Sequence, residues 1–400
     1  MNHAQQNQIN TTPVLFDTLT TDNNYCIGMI QLNAEKTLNA LSLEMIDLIA
    51  AQLAAWSTDD TVTMVCMHAA GEKAFCAGGD LQQLYQSMLS HHASEQRDDI
   101  TTNQYAGDFF EREYRLDYMI HTYPKPILCW GHGIVMGGGM GLMAGASHRV
   151  VTEKSRLAMP EIAIGLFPDV GGSYFLNQIP DKVGLFLALT GAMINASDAR
   201  FINLADYVIA QADKIEVLST LQQQAWTDLP TKNGFLLDAI LNDGQLKLAQ
   251  SNQAVAAGSI ELELMTIQAL CDQNSIEQTI AAIINHSSDD KWFVKASASL
   301  KKGSPSAAHL AHLLLQRAQN MPLADVFRME YIAALHCAAR PDFAEGIRAL
   351  IIDKDQQPNW QPATHADITP KWVNGYLNNP WSAQIHPLAD LGQDDSIHTD

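Results

Sequence analysis

Positive charge is scarce in this chain of 400 residues: 24 Lys and Arg stand against 44 Asp and Glu, a formal net charge of −20. So acidic a composition does not suit nucleic acid, whose phosphates are met by Lys and Arg. It leaves small anionic ligands open, because a few local cations outweigh a distant field. Long apolar runs are absent too. No stretch approaches 18 residues, so the sequence predicts no membrane span. Cys26, Cys66, Cys76, Cys129, Cys271 and Cys337 form no CxxC pair. They read as free core thiols of a reducing compartment. Met1–Thr12 is polar, with neither the basic start nor the apolar stretch of a secretory signal. These absences point to a soluble cytoplasmic protein. At 47% hydrophobic and 17% charged, the chain has an ordinary globular mix, long enough for two or three domains or one with an extension.

The apolar spacing predicts a strand over 25–32, a helix over 43–56 capped by Ser42, and a short strand over 62–68. A glycine turn follows at 75–80, then a helix over 81–89. The polar segment 90–104 reads as a mobile loop. A helix over 105–121 ends at Pro124 and Pro126, before a strand over 127–130. Gly137-Gly138-Gly139 opens a short helix, and 148–151 is another strand. The pattern predicts a mixed α/β core over residues 14–210. Helical signals at 211–226, 259–285, 306–319 and 323–339 make 211–400 a helical C-terminal region. An extended arm is expected over 353–370 and a frayed end over 394–400.

The chemistry gathers in three segments. Met159-Pro160-Glu161-Ile162-Ala163-Ile164-Gly165-Leu166-Phe167-Pro168-Asp169-Val170-Gly171-Gly172 sets two acids eight residues apart in an apolar run. A buried carboxylate is costly unless paired or used, although exposed loop acids are the plainer reading. Lys73-Ala74-Phe75-Cys76-Ala77-Gly78-Gly79-Asp80 carries paired glycines that let backbone approach a ligand. On the plainer reading it is a βα turn with Asp80 as a helix cap. Gly131 to Gly141 follows an apolar strand and opens a helix, whose unpaired N–H groups attract anionic oxygen. Tight glycine packing is the alternative there. Together the two glycine segments could each give one N–H to a single carbonyl oxygen. Losing one such donor costs about 3 kcal/mol of transition-state stabilisation. Glu161 and Asp169 would then act beside the polarised carbonyl.

These segments, with Leu32-Asn33 and Leu38-Asn39-Ala40-Leu41 before them, resemble the enoyl-CoA hydratase/isomerase (crotonase) superfamily in order and spacing. The resemblance implies a spiral of ββα units followed by a helical region. Within the superfamily the chain is most similar to the 3-hydroxyisobutyryl-CoA hydrolases. Asp169 stands where hydratases carry glycine, and Gly141 where they carry a first catalytic glutamate. The stretches 342–349 and 352–356, with Pro358 and Trp360, are similar to the hydrolases' tail. The resemblance implies that Gly79 and Gly138 donate N–H groups to the thioester oxygen, with Glu161 and Asp169 catalytic. It implies that the Ala77 backbone meets the adenine of CoA and that Glu113 is a substrate-side acid, with an exposed helix residue near Arg112 or Asp117 as the equal alternative. Lys36 and Lys73 would meet CoA phosphates, although a lysine is more often a solvated charge. Asp80 joins the substrate-binding positions. The expected substrate is a short 3-hydroxyacyl-CoA, first of all 3-hydroxyisobutyryl-CoA of valine degradation. No cofactor or metal is expected, since CoA is part of the substrate, and a homo-oligomer is left open. Glu161 would activate water or attack directly.

Other readings carry less. Gly139-x-Gly141-x-x-Ala144 with Glu161 twenty residues on has dinucleotide-binding spacing, but its helix is broken by Gly145 and Ser147. His91, His92 and His132 lack metal-ligand spacing. Ser173 is not in a G-x-S-x-G elbow, and Cys76 reads as packing. An enoyl-CoA hydratase or isomerase is the nearest rival. A non-catalytic CoA-binding scaffold is the rival from another class.

Overall fold

The computed structural model describes residues 12–251 and 255–393. The signal-free reading of the N-terminus, Thr12 apart, and the frayed end over 394–400 lie outside the described residues.

Among the described residues ten strands form two sheets: β1 (Val14–Thr20), β2 (Cys26–Leu32), β3 (Val62–Ala69), β4 (Ala74–Cys76), β5 (Ile127–Gly131), β6 (Ile134–Met136), β7 (His148–Val151), β8 (Arg156–Ala158), β9 (Ile194–Asn195) and β10 (Tyr207–Val208). One sheet has the order β1-β2-β3-β5-β7-β10 and the other β4-β6-β8-β9. From β2 onward the larger sheet is parallel. The chain alternates between sheets. Strands β3 and β4 are followed by helices Leu81–His92 and Gln104–His121, β5 and β6 by helix Gly138–Ala144, and β7 and β8 by the turn Glu161–Ile164. Each ββα turn advances one strand in both sheets, which is the expected spiral. Parallel strands covered on both faces read as unbroken apolar runs. Hence β5, Ile-Leu-Cys-Trp-Gly, is buried throughout.

Ser42 caps helix Leu43–Ser57 by accepting from the Met45 N–H, and Met45, Ile46, Ile49, Leu53 and Trp56 go into the core. Among the described residues no strand follows Val208. One cluster of buried side chains runs from Val14 to Leu391 and joins the spiral to the C-terminal helices. A second lies on the far face of the larger sheet, under Leu237, Ile240 and Leu241 of helix Pro230–Gln250.

Three expectations change. Segment 90–104 is tied down: Ile100 is buried, His91 Nε2 lies 3.0 Å from Thr102 Oγ1, and His92 Nε2 lies 2.9 Å from the Ala338 carbonyl. The helix expected over 259–285 is two, Ser259–Cys271 and Ile276–Asn285, because Ser275 caps a new start. Helices Pro230–Gln250 and Lys291–Lys302 were not expected. Pro230 at the first helical position and the Asp290 cap are their start signals. Residues 353–370, expected as an extended arm, are irregular with a 3-10 turn at His365–Asp367, and the Trp360 indole N–H anchors them by donating to the Lys302 carbonyl.

Candidate active site

The first wall of the site is a backbone lattice. Leu38 and Asn39 both take left-handed φ, which turns the chain under β4. The Asn39 amide then donates to the Ala70 and Ala74 carbonyls. Ala77 N–H donates to Leu38 O, Leu41 N–H to Gly78 O, and Asp80 N–H to Leu41 O. Among the described residues this pattern leaves the Gly79 N–H without an acceptor. Gly78 has φ +110°, which a side chain rarely tolerates.

The second wall is helix Gly138–Ala144. Its cap, Gly137, has φ 49° and ψ −122°. As the first helical residue, Gly138 has no carbonyl behind it, so its N–H is free. A Cβ on Gly139 would stand 2.4 Å from the Cys76 carbonyl, so glycine lets this helix press against β4. The two glycines with free N–H groups line one space: a Cβ on Gly138 would lie 3.7 Å from the Gly79 nitrogen.

Carboxyls close the other sides. Glu161 starts a 3-10 turn after Pro160, and its Oε1 would stand 3.0 Å from a Cβ on Gly137. Glu113 Oε1 would stand 2.5 Å from one on Gly138. Asp169 leads into a tight turn in which Gly172 N–H returns to its carbonyl. Val170 in that turn has φ 52°, a strained value for a β-branched residue. The turn is clamped from the C-terminal region: the Glu330 carboxyl accepts from the Gly171 and Ser173 N–H groups, both at 2.8 Å. The Tyr114 hydroxyl donates to Asp169 Oδ2 at 2.8 Å. One turn after Glu113, Asp117 packs against Gly141.

Glu113, Asp117, Glu161, Asp169 and Glu330 are all buried, and no ion pair reaches them among the described residues. Their titration is therefore displaced upward. Burial pushes Glu161 well above the usual carboxylate range, and the Asp169 charge adds to it. Glu113 and Asp117 move the same way, burial first and neighbouring acids second. Burial pushes Asp169 up to about 7, opposed by the Tyr114 hydroxyl. Glu330 rises to about 8 by burial, opposed by its bonds to Ser173 and Gly171. Close carboxyls of this kind titrate as a set. Cys76, beside the glycines, is buried with its thiol pushed up to about 12, which fits packing.

The space between these walls is a cavity of about 240 Å³, lined by Ala77, Gly79, Glu113, Gly138, Glu161 and Asp169. Six of the nine predicted positions thus meet at one place. Lys36 and Asp80 line a neighbouring groove of about 630 Å³ that shares Ala77, Gly79 and Ile351 with the cavity. Asp80 is also the cap of helix Leu81–His92. Lys73 is exposed and lines neither space. Its carbonyl accepts from Ile134 N–H, so its place is set by the link to β6. Sequence reasoning missed Tyr114, Asp117 and Glu330, and the apolar wall of Phe343, Leu350 and Ile351. Asp117 had a signal in its four-residue spacing from Glu113 on one helix. Glu330 had none, since it acts 159 residues from its partner.

A family model described as enoyl-CoA hydratase/isomerase matches residues 27–377. The chain belongs to the enoyl-CoA hydratase/isomerase family. Among named members, the 3-hydroxyisobutyryl-CoA hydrolase, mitochondrial, of Danio rerio is 37% identical over 352 residues, covering 87% of this chain and 86% of that protein. The Homo sapiens protein of the same name is 32% identical over 360 residues, covering 90% and 88%. Two solved structures extend the likeness through the helical region. An enoyl-CoA hydratase from Rhodobacter sphaeroides 2.4.1 has TM-score 0.75 and 31% identity, covering 92% of this chain and 98% of that one. A carnitinyl-CoA dehydratase from Mycobacterium thermoresistibile has TM-score 0.77 and 32% identity, covering 92% and 96%. The family and fold expected from the motifs are those found.

Proposed function

We propose that this chain hydrolyses the thioester of a short 3-hydroxyacyl-CoA, with 3-hydroxyisobutyryl-CoA of valine degradation as first substrate. One observation carries the reading: two buried carboxyls, Glu161 and Asp169, share a cavity with the unpaired N–H groups of Gly79 and Gly138, while position 141 has no acid. The cavity size suits a short acyl group, and the adjoining groove with Lys36 and Ala77 suits the rest of CoA.

In this reading the carbonyl oxygen lies between the Gly79 and Gly138 N–H groups, which stabilise the oxyanion as it forms. Asp169 takes a proton from water as the water oxygen bonds to the carbonyl carbon. The intermediate then collapses, the C–S bond breaks, and Glu161 protonates the departing sulfur. Asp169 returns its proton to Glu161, which closes the cycle without a cofactor. Glu113 meets the substrate hydroxyl. Hydration of a double bond would need a second acid on the 141 side, and hydratase or isomerase chemistry is the alternative to be excluded. The named relatives are mitochondrial; for this chain a cytoplasmic place is proposed and is checked by fractionation.

A thiol-release assay over a panel of acyl-CoA thioesters tests the proposal. Hydrolysis frees CoA, hydratase or isomerase chemistry changes enoyl absorbance without freeing it, and a scaffold does neither. Glu161→Gln and Asp169→Asn should each lower turnover at least 100-fold. Near-normal release by both variants would defeat the reading.

A further inference from the structure

We propose that Tyr114 is a positioning residue that holds the negative charge of the acid set on Asp169. The proposal deepens the hydrolase reading and rests on it for its role in turnover, although its effect on the protein is independent of substrate. Among the described residues, Glu113, Asp117, Glu161 and Asp169 have no cation beside them, and Asp169 alone accepts a side-chain hydroxyl, at 2.8 Å. Both oxygens of Asp117 and Oε2 of Glu161 are buried with no partner. A hydrogen bond donated to a carboxylate favours the charged form, and burial without a partner favours the neutral one. The donor is built in. Tyr114 is fully buried, and its ring is held between Phe110 and Phe327, with centroids at 5.8 Å and 5.7 Å. Phe327 lies on helix Leu323–Ala339, which also carries Glu330. The C-terminal region therefore fixes the Asp169 turn and the hydroxyl that faces it.

Apart from the Tyr114 hydroxyl and a backbone N–H of its own, the groups around Asp169 are acids or neutral groups. Helix Gln104–His121 presents Glu113, Tyr114 and Asp117. Helix Leu323–Ala339 presents Glu330 and the Cys337 thiol. Its own segment presents Glu161. His121, near Gly171, is held neutral by burial. A backbone N–H favours the charged form at Asp169 and at Glu161 alike, so the phenolic O–H is the donor that Asp169 has and Glu161 lacks, and it selects where the charge sits. With Asp169 ionised and Glu161 protonated at rest, the pair is set for water activation by one and sulfur protonation by the other.

The test is carboxyl 13C NMR on the full-length protein labelled at aspartate, with the Asp169 resonance assigned by its loss in Asp169→Asn. In Tyr114→Phe the ring stays and the donor goes, and the Asp169 midpoint should move up by at least one pH unit. In thiol release, kcat should fall at least tenfold, its acid limb should move up with the NMR midpoint, and KM should stay within about threefold. Adding Tyr114→Phe to Asp169→Asn should change the rate by less than threefold. Site-specific 3-fluorotyrosine at 114, a stronger donor of nearly the same shape, should move the midpoint down, and it serves if Tyr114→Phe does not fold. An unmoved midpoint in either variant overturns the proposal. A moved midpoint in a protein that releases no thiol would instead overturn the hydrolase reading and leave the charge assignment standing.

Discussion

Gly138→Ala is the sharpest probe of the proposed carbonyl site, because it adds one carbon at a known place. Its Cβ would stand 2.5 Å from Glu113 Oε1 and 3.7 Å from the Gly79 nitrogen. Glu113 would have to retreat by about 1 Å to restore ordinary contact. The methyl also enters the space in which an oxygen would be shared by the two N–H groups. The backbone at 138 is helical, so alanine is unstrained in φ and ψ there, and a helix propensity gain of up to ~1 kcal/mol offsets the shift of the Glu113 carboxyl end. The variant therefore separates folding from function: the melting temperature holds while kcat falls. Loss of one well-aligned oxyanion donor is worth about 3 kcal/mol, or roughly 100-fold in kcat. The assay is thiol release beside far-UV circular dichroism melts. Glu113→Ala as a background decides the cause. If the methyl excludes the oxygen, the double variant stays about 100-fold below Glu113→Ala. Turnover within threefold of wild type in a folded Gly138→Ala protein would refute the two-donor site.

Asp117→Asn tests the charge state of the buried acids through stability. Asp117 titrates well above its unfolded value, so between these two values the folded state binds more protons than the unfolded one. Stability then falls as pH rises, by at most about 1.4 kcal/mol per pH unit for one such group. Above pH 6.5 the buried histidines no longer oppose this slope, since burial lowers them. Wild type should lose stability in urea melts from pH 6.5 to 8, and Asp117→Asn should flatten that loss; equal slopes would sink the argument. Glu330→Gln should cost about 2 kcal/mol, because the Gly171 and Ser173 N–H groups go to different carboxyl oxygens and an amide sets an NH2 donor against one of them. The same variant should lower kcat at least tenfold as the strained Asp169 turn relaxes, and a wild-type rate with a wild-type melt would remove Glu330 from the site's support.

The parts of this architecture carried by local chemistry were legible in the chain. The turn Ala77-Gly78-Gly79-Asp80, the opening of helix Gly138–Ala144 and the acids at 161 and 169 each depend on residue types within a short span. Glycine is needed where φ is +110° at Gly78, and no distant contact alters that requirement. What stayed hidden acts across the chain. Glu330 looks like any acid in a helix until it meets the Gly171 N–H, and Tyr114 looks like core until its hydroxyl meets Asp169. Lys73 is the converse case. The resemblance gave it a phosphate role, while the structure shows its carbonyl used in the link to β6 and its side chain exposed.

The pairing of glycine at 141 with aspartate at 169 has a steric basis. A Cβ on Gly141 would stand 2.8 Å from the Cβ of Val170 and 2.8 Å from Asp117 Oδ1. Val170 is in that position because the turn after Asp169 is left-handed at two successive residues, φ 52° and 82°. Unwinding that turn to admit a side chain at 141 would break the Gly172-to-Asp169 bond and pull Gly171 from Glu330. Asp169 would then move off the Tyr114 hydroxyl. A side chain on the helix at 141 and the Val170 of this turn therefore compete for one volume. In this chain the turn leaves position 141 no room for a side chain, and the second carboxyl is on the 169 side of the cavity. Glu330 and Phe327, which hold the turn and the tyrosine, both lie on helix Leu323–Ala339. That makes the helical region part of the site's construction, and it gives a physical reason for the hydrolase-like tail and Asp169 to occur together in this chain.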